Sequence, residues 1–310
     1  MTNAKVTLFS SSIMSLGLIM SLKQENKLAG VVVESNESHE TQHLVHNLNH
    51  FGIPFTTYQA ISPDTLLSQI KNWKSNLGLV FFFKQKISDT VIQFFDGNII
   101  NLHASELPDY RGSMPLYWQL RNNEAKTALT AHFLTDCFDA GDIVLQEPIA
   151  IHPYDNIQTL SETVLQKALP VVSKLIVLFE SQKMPRTPQR QVTESDNYAS
   201  ALREKDQWVD WKCMSADDIV GASRARNPVF GGVMTRCNQA VFNILQCASV
   251  NSQRFSVPAG MILSIDKVSG LVVATKDKPI ELQVVASQQG YFSGYSFAIR
   301  HGLDIGVQLQ

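Results

Sequence analysis

The stretch NLHASELPDYRGSMPLYW, residues 101–118, follows an apolar run and opens with Asn101 and His103. A strand that ends this way projects an amide and an imidazole at the carboxyl edge of a parallel sheet, where ligands bind in open α/β folds. Leu107 with Pro108, and Arg111 with Gly112, then stiffen a loop ahead of a helix starting near Pro115. Further along, TDCFDAGDIVLQ, residues 135–146, crowds Asp136, Asp139 and Asp142 into a glycine-containing turn before another apolar strand. Acids in turns commonly serve as caps. Beside an Asn and a His at sheet edges, an aspartate completes a set able to move a proton and stabilise an oxyanion.

A second chemical motif lies in HETQHLVHNLNHF, residues 39–51, which contains H-E-x-x-H. On a helix this pattern marks zinc proteases. At 100° per residue, His39, His43, His46 and His50 fall within a wedge of about 60°, and Leu44, Leu48 and Phe51 take the opposite side. The apolar side must face the sheet, so the histidines face water, whereas a catalytic zinc site needs its helix face inside a cleft. The stripe is expected to be a solvated face, with adventitious metal binding by His39 and His43 the limit of its chemistry.

The elements that position these residues alternate. Strand-like runs at 5–9, 30–34, 77–83, 98–102 and 129–134 are separated by helical patterns at 14–27, 39–51 and 63–73, with a further helix at 156–179. This predicts an α/β fold, a mostly parallel sheet with helices on both faces. Residues 181–206 are rich in Pro, Ser, Thr and Gln and read as a linker. From about Gln207, short strand-like pieces with turn signals at Pro258, Gly260 and Gly270 predict a small, mostly β second domain. The expected division is 1–180, linker 181–206, and 207–310.

The totals, 310 residues with 44% hydrophobic and 17% charged, describe a globular chain large enough for two cores. A formal net charge of −2 gives no overall attraction for nucleic acid or anionic membrane. Cys137, Cys213, Cys237 and Cys247 are scattered without a C-x-x-C pair, which argues against a zinc ribbon or disulfide framework and suits a cytoplasmic setting. Lys5 followed by an apolar run has the look of a signal peptide. The serines at 10–12 interrupt that run and no small-x-small site follows, so it is expected to be strand, turn and helix.

The two chemical segments resemble the formyltransferase family that uses 10-formyltetrahydrofolate, whose pattern is approximately N-x-H-x-S-x-L-P-x-x-R-G followed by D-x-G-D-I. The matching residues are Asn101, His103, Ser105, Leu107, Pro108, Arg111 and Gly112, then Asp139, Gly141, Asp142 and Ile143. Asp210 with Trp211, SADDI, Arg224 with Ala225, and Asn227 with Pro228 resemble the start of the family's C-terminal domain. The resemblance implies a Rossmann-like catalytic domain, a smaller OB-like β-barrel, and formyl transfer to a primary amine.

By that resemblance, Asn101 and His103 supply donors to the formyl oxygen, each donor being worth on the order of 3–4 kcal/mol in such sites. Asp142 takes the amine proton and orients His103. Ser105, Pro108, Arg111 and Gly112 support the loop, and no metal is implied. The pocket for 10-formyltetrahydrofolate, the formyl donor, maps onto Phe83, Lys84, Gln85, Lys86 and Ile87 after the central strand. Its other side maps onto Thr135, Asp136, Cys137, Phe138, Asp139 and Ala140 before the expected base. Two departures stand out: Lys84, Gln85 and Lys86 replace a Gly-containing stretch, and Ser10, Ser11 and Ser12 replace a Gly-Thr-Pro-like turn.

The tRNA enzymes of the family carry a basic insertion after the second strand, and this chain has no Lys or Arg between Lys27 and Lys71. Residues 1–180 carry a net charge of −5 and residues 200–310 only +2. Phosphate contacts dominate nucleic-acid affinity, so the expected acceptor is a small or carrier-bound amine, with Met-tRNA as the alternative. Hydrolysis of the same donor shares the triad, and a non-catalytic folate- or partner-binding relative is the reading that the two loop departures suggest.

Overall fold

The computed structural model describes residues 3–35, 38–58, 63–193, 197–238, 240–251 and 257–310. Residues 194–196 of the expected linker lie outside the described residues. The chain divides into two compact units: Met1–Ser113, Thr127–Ile149 and Glu162–Tyr198 form one, and Met114–Lys126, Ala150–Ser161 and Ala199–Gln310 form the other.

The first unit is built on strands β1 (Val6–Phe9), β2 (Leu28–Val33), β3 (Phe55–Thr57), β4 (Leu77–Val80) and β5 (Ile99–His103). After the two-residue β6 (Arg111–Gly112) come β7 (Lys126–Phe133) and β8 (Ile143–Ala150). The seven-stranded sheet runs β3-β2-β1-β4-β5-β7-β8. The first five strands are parallel and β7 is antiparallel to β5. Strand order reverses between β1 and β4, which opens a crevice at their carboxyl ends. β1 and β4 are buried at every position, as a sheet covered on both faces requires.

Helices α1 (Leu16–Gln24), α2 (His39–His50) and α3 (Pro63–Asn72) turn Leu18, Ile19, Leu22, Leu44, Leu48, Leu66 and Ile70 into the interior. Ser38 caps α2 by accepting from the Thr41 N–H. α4 (Asp89–Phe94) precedes β5, and the 24-residue α6 (Ile157–Glu180) follows β8. The apolar run at 77–83 is shorter as a strand than its composition suggests. β4 ends at Val80 because Phe82 adopts φ +54°, which breaks the extended ladder.

In the second unit, α5 (Pro115–Arg121) packs with α7 (Ala216–Arg226). Gly221 is the contact point: a Cβ there would lie 2.5 Å from the Arg121 carbonyl oxygen. Trp118 Nε1 also donates to the Ser200 carbonyl at 2.8 Å, so residues 114–126 group with this unit. After β9 (Tyr198–Ala199), strands β10 (Val233–Cys237), β11 (Ala240–Ser249), β12 (Ile262–Asp266), β13 (Gly270–Val273) and β14 (Ile280–Ser287) form a sheet in the order β10-β11-β14-β13-β12. β15 (Gly290–Ser293) pairs with β14, and α8 (Gly294–Arg300) follows.

The two outer strands of that path are joined by residues 308–310. Leu309 N donates to the Gly260 carbonyl at 2.8 Å, while Gln310 and Arg236 exchange backbone bonds of 2.9 Å in both directions. This tail closes an antiparallel sheet into a barrel around Trp211, Ile219, Phe242, Ile244, Leu282 and Phe297.

Candidate active site

Asn101 and His103 sit on the last turn of the β5 pleat, and the structure brings them together with a third residue that composition did not single out. Asn101 pairs in register with His132 of β7, and its Nδ2 lies 3.1 Å from His132 Nε2. His132 Nδ1 is 2.9 Å from the Phe133 carbonyl. A carbonyl only accepts, so Nδ1 carries the proton and Nε2 presents its lone pair to the amide of Asn101. The alternation of β7 was the available sign of this residue, since the register of a strand beside β5 decides which side chain meets Asn101.

The same logic fixes the second imidazole. His103 Nε2 is 2.8 Å from the Tyr110 carbonyl and therefore donates to it, leaving Nδ1 as the lone-pair nitrogen. That nitrogen faces Asp139 Oδ1 at 3.5 Å. Burial lowers the His103 pKa below its ordinary value, against the opposing pull of Asp139. His103 is thus a neutral imidazole with a free nitrogen beside a carboxylate.

Asp139, not Asp142, is the aspartate gathered with the pair. Its Oδ1 accepts from Asn101 Nδ2 at 3.2 Å and its Oδ2 from the Gly112 N–H at 2.9 Å. It also lies 3.5 Å from His132 Nε2. Asp142 has already joined the sheet, its carbonyl accepting from Phe133 N at 2.9 Å, and no hydrogen bond or ion pair links its side chain to Asn101 or His103. Asp139 adopts φ +54°, a left-handed conformation that Asp tolerates, and Asn101 and the Gly112 N–H hold its carboxylate from segments distant along the chain.

Burial would raise the Asp139 pKa, but the hydrogen bond and charge that the His132 and His103 rings supply when protonated, with the Gly112 N–H, outweigh it and bring the value to about 2. An unfolded aspartate titrates near 3.9, so the folded value is the lower one. The resulting stability is full above the unfolded value and is lost as pH falls from about 4 towards 2, on the order of 2 kcal/mol. Urea unfolding at pH 7 and pH 3 is expected to show a larger acid loss in wild type than in Asp139→Asn, by about 1 kcal/mol, roughly half of the contribution being lost by pH 3. Equal losses would mean that Asp139 is not held ionised.

The loop residues act on this centre through the backbone. Ser105 Oγ donates to the Asp109 carbonyl at 2.7 Å, and Thr130 Oγ1 donates to the Ser105 carbonyl at 2.5 Å. Pro108 is buried. Arg111 donates through Nε and Nη2 to Gln189 Oε1 at 3.2 and 2.6 Å. Gln189 belongs to the stretch expected as linker, where composition gives no hint of a structural task.

The expected donor pocket is placed unevenly. Phe83 is half-buried, with ring centroids 5.8 Å from Phe9 and 5.5 Å from Tyr58. Lys84 and Lys86 are exposed and Gln85 is half-buried. Ile87 is packed inside the core cluster with Phe9, Val32 and Val91 and lines no surface, because the Tyr58 hydroxyl fixes the chain on either side of it. Thr135, Asp136 and Cys137 are exposed, Ala140 is half-buried, and Phe138 is 62% exposed.

The two departures prove to be joined. Ser11 N donates to the Phe82 carbonyl at 3.1 Å, and Ser11 Oγ accepts from Glu34 N at 2.7 Å. The buried Glu34 carboxylate in turn accepts from Lys84 N. A serine turn and a glutamate thereby anchor the loop after β4. Ser12 Oγ also donates to Glu40 Oε1 at 2.6 Å, tying the same turn to α2. His39, His43, His46 and His50 are all exposed, and among the described residues no group of three or more His, Cys, Asp or Glu is placed to hold a metal ion. No helix among them is long and apolar enough to cross a membrane.

The family model described as formyl transferase matches residues 9–176, and that described as formyl transferase, C-terminal domain, matches residues 201–297. A methionyl-tRNA formyltransferase of Desulforamulus reducens is 28% identical over 244 residues, 78% of this chain and 75% of that protein. The solved N-formyltransferase of Helicobacter canadensis, in complex with folinic acid and dTDP-3-aminofucose, shares the fold at a TM-score of 0.68 and 16% identity. The match covers 93% of this chain and 100% of that one. HypX from Aquifex aeolicus in complex with tetrahydrofolic acid aligns at a TM-score of 0.58 and 14% identity over 96% of this chain; this chain spans about half of that protein, 47%.

Proposed function

Because the chain belongs to the formyl transferase family, we propose that it transfers a formyl group from 10-formyltetrahydrofolate to a primary amine on a small or carrier-bound acceptor. The observation that carries this reading is the meeting of Asn101, His103 and Asp139 at the carboxyl edge of β5. Half-buried Phe82 and Phe83 after β4, and exposed Phe138 beside Asp139, offer flat apolar surface of the kind a pterin ring uses.

The neutral acceptor amine attacks the formyl carbon, and the carbonyl electron pair moves onto oxygen. Asn101 Nδ2 donates to that oxygen by exchanging one of its two present bonds, to His132 or to Asp139. His103 Nδ1 takes the proton lost by the amine, and the adjacent Asp139 carboxylate stabilises the imidazolium. The intermediate then collapses: the bond to the donor nitrogen breaks and His103 returns its proton to that nitrogen. The products are the formamide and tetrahydrofolate. In this scheme Asp139 takes the place expected for Asp142, and His103 acts first as base and then as acid.

The acceptor reading rests on charge and on length. Only residues 34–38 separate β2 from α2, and residues 1–180 carry a net charge of −5, a poor surface for gripping phosphates. The tRNA reading is favoured by the name of the curated relative. Purified protein is expected to release tetrahydrofolate only when a suitable amine is present, with little dependence on salt. Release without amine would identify a hydrolase. A steep salt dependence with charged initiator tRNA would identify the tRNA enzyme.

A further inference from the structure

The turn carrying Asp139 has no helix or strand of its own to hold it, yet the proposed chemistry needs its carboxylate fixed against His103. The carboxylate is held by Asn101 and the Gly112 N–H, and the backbone carbonyls of the turn are held by one side chain. Gln189 Nε2 donates to the Asp139 carbonyl and to the Gly141 carbonyl, each at 2.8 Å. Its Oε1 accepts twice from Arg111, the residue before Gly112, whose N–H binds the Asp139 carboxylate. All four hydrogen-bonding positions of the carboxamide are therefore used.

The segment that delivers Gln189 is itself anchored. Thr187 and Ile143 exchange backbone bonds of 2.8 and 3.0 Å, and the Arg186 guanidinium lies 3.5 Å from the Phe133 ring centroid. Arg190 Nη2 pairs with Asp109 Oδ1 at 2.8 Å. Residues 186–190 thus span from the start of β8 to the loop after β5.

We infer that Gln189 is a positioning residue for the proposed transfer, its carboxamide clamping the Asp139 turn to the Arg111 loop. The inference rests on the functional reading above only for its kinetic readout. Two variants separate positioning from simple bracing. Gln189→Ala removes all four bonds. Gln189→Glu keeps a strong acceptor for Arg111 but turns an oxygen, in place of a donor, towards the two carbonyls.

Both variants are expected to lower kcat by about 10–100-fold, the cost of a misplaced catalytic group, while the donor KM changes little. Gln189→Glu is expected to keep a thermal midpoint close to wild type. A Gln189→Glu enzyme with wild-type kcat would overturn the inference, because Arg111 would then be the only partner that matters. An NMR titration of the Asp139 carboxyl reads the same geometry without turnover. It is expected to move up from about 2 in both variants, and an unmoved titration would also overturn the inference. If wild type transfers no formyl group to any amine while the titration still moves, the functional reading fails and the positioning role stands.

Discussion

Asp139→Asn is expected to lower formyl transfer by at least about 10²-fold, whereas Asp142→Asn stays close to wild type. The substitution is suited to the site because Asn tolerates the left-handed conformation that Asp139 adopts, φ +54°. What it removes is charge and one acceptor. The carboxylate receives the Gly112 N–H on one oxygen and the Asn101 amide on the other, and a carboxamide can accept on only one. The imidazolium formed when His103 takes the amine proton would also lose its counter-charge at 3.5 Å. Steady-state rates of the two variants, with circular dichroism to establish that each is folded, make the comparison. The reverse result, an active Asp139→Asn and an inactive Asp142→Asn, would return the catalytic role to Asp142.

Gly141→Ala is the second large effect expected, and it acts without touching any polar group. A Cβ at position 141 would lie 1.9 Å from the Phe133 carbonyl oxygen and 2.8 Å from its carbon, both backbone atoms of β7 that have little room to yield. The turn must therefore move away from β7, and Asp139, two residues earlier, moves with it. Displacement of a catalytic group by about 1 Å costs on the order of 10²-fold in rate. The expected result is a fall in kcat of that size with the second unit's barrel unaffected. Retention of full activity would show that the Asp139 turn needs no close approach to β7, and would weaken the proposed geometry.

The legible part of this molecule and the hidden part divide along a physical line. Asn101 and His103 were readable because they end an apolar strand, and position at a strand's carboxyl edge is a property of local sequence. The exposed histidine stripe of α2 was readable for the same reason, since helical periodicity alone sets Leu44 and Leu48 against His39, His43, His46 and His50. The choice between Asp139 and Asp142 was not readable from spacing, because three aspartates share one turn. Hydrogen bonds from Asn101 and the Gly112 N–H, 38 and 27 residues away, hold the Asp139 carboxylate in place. His132 and Gln189 were missed because each acts through a partner distant in sequence, 31 and up to 78 residues away.

The sequence by itself determined the α/β order of the first unit, the mostly β character of the second, and the chemical types at the site. Each of these follows from interactions among residues close along the chain: periodic burial, turn residues and strand ends. Only the tertiary structure decided that Asp139 is the carboxylate in place, that His103 presents Nδ1, that Gln189 closes the turn, and that residues 308–310 close the barrel. Those outcomes depend on hydrogen bonds between distant segments, whose geometry exists only once the sheet has aligned β5 with β7 and brought the two ends of the barrel path together.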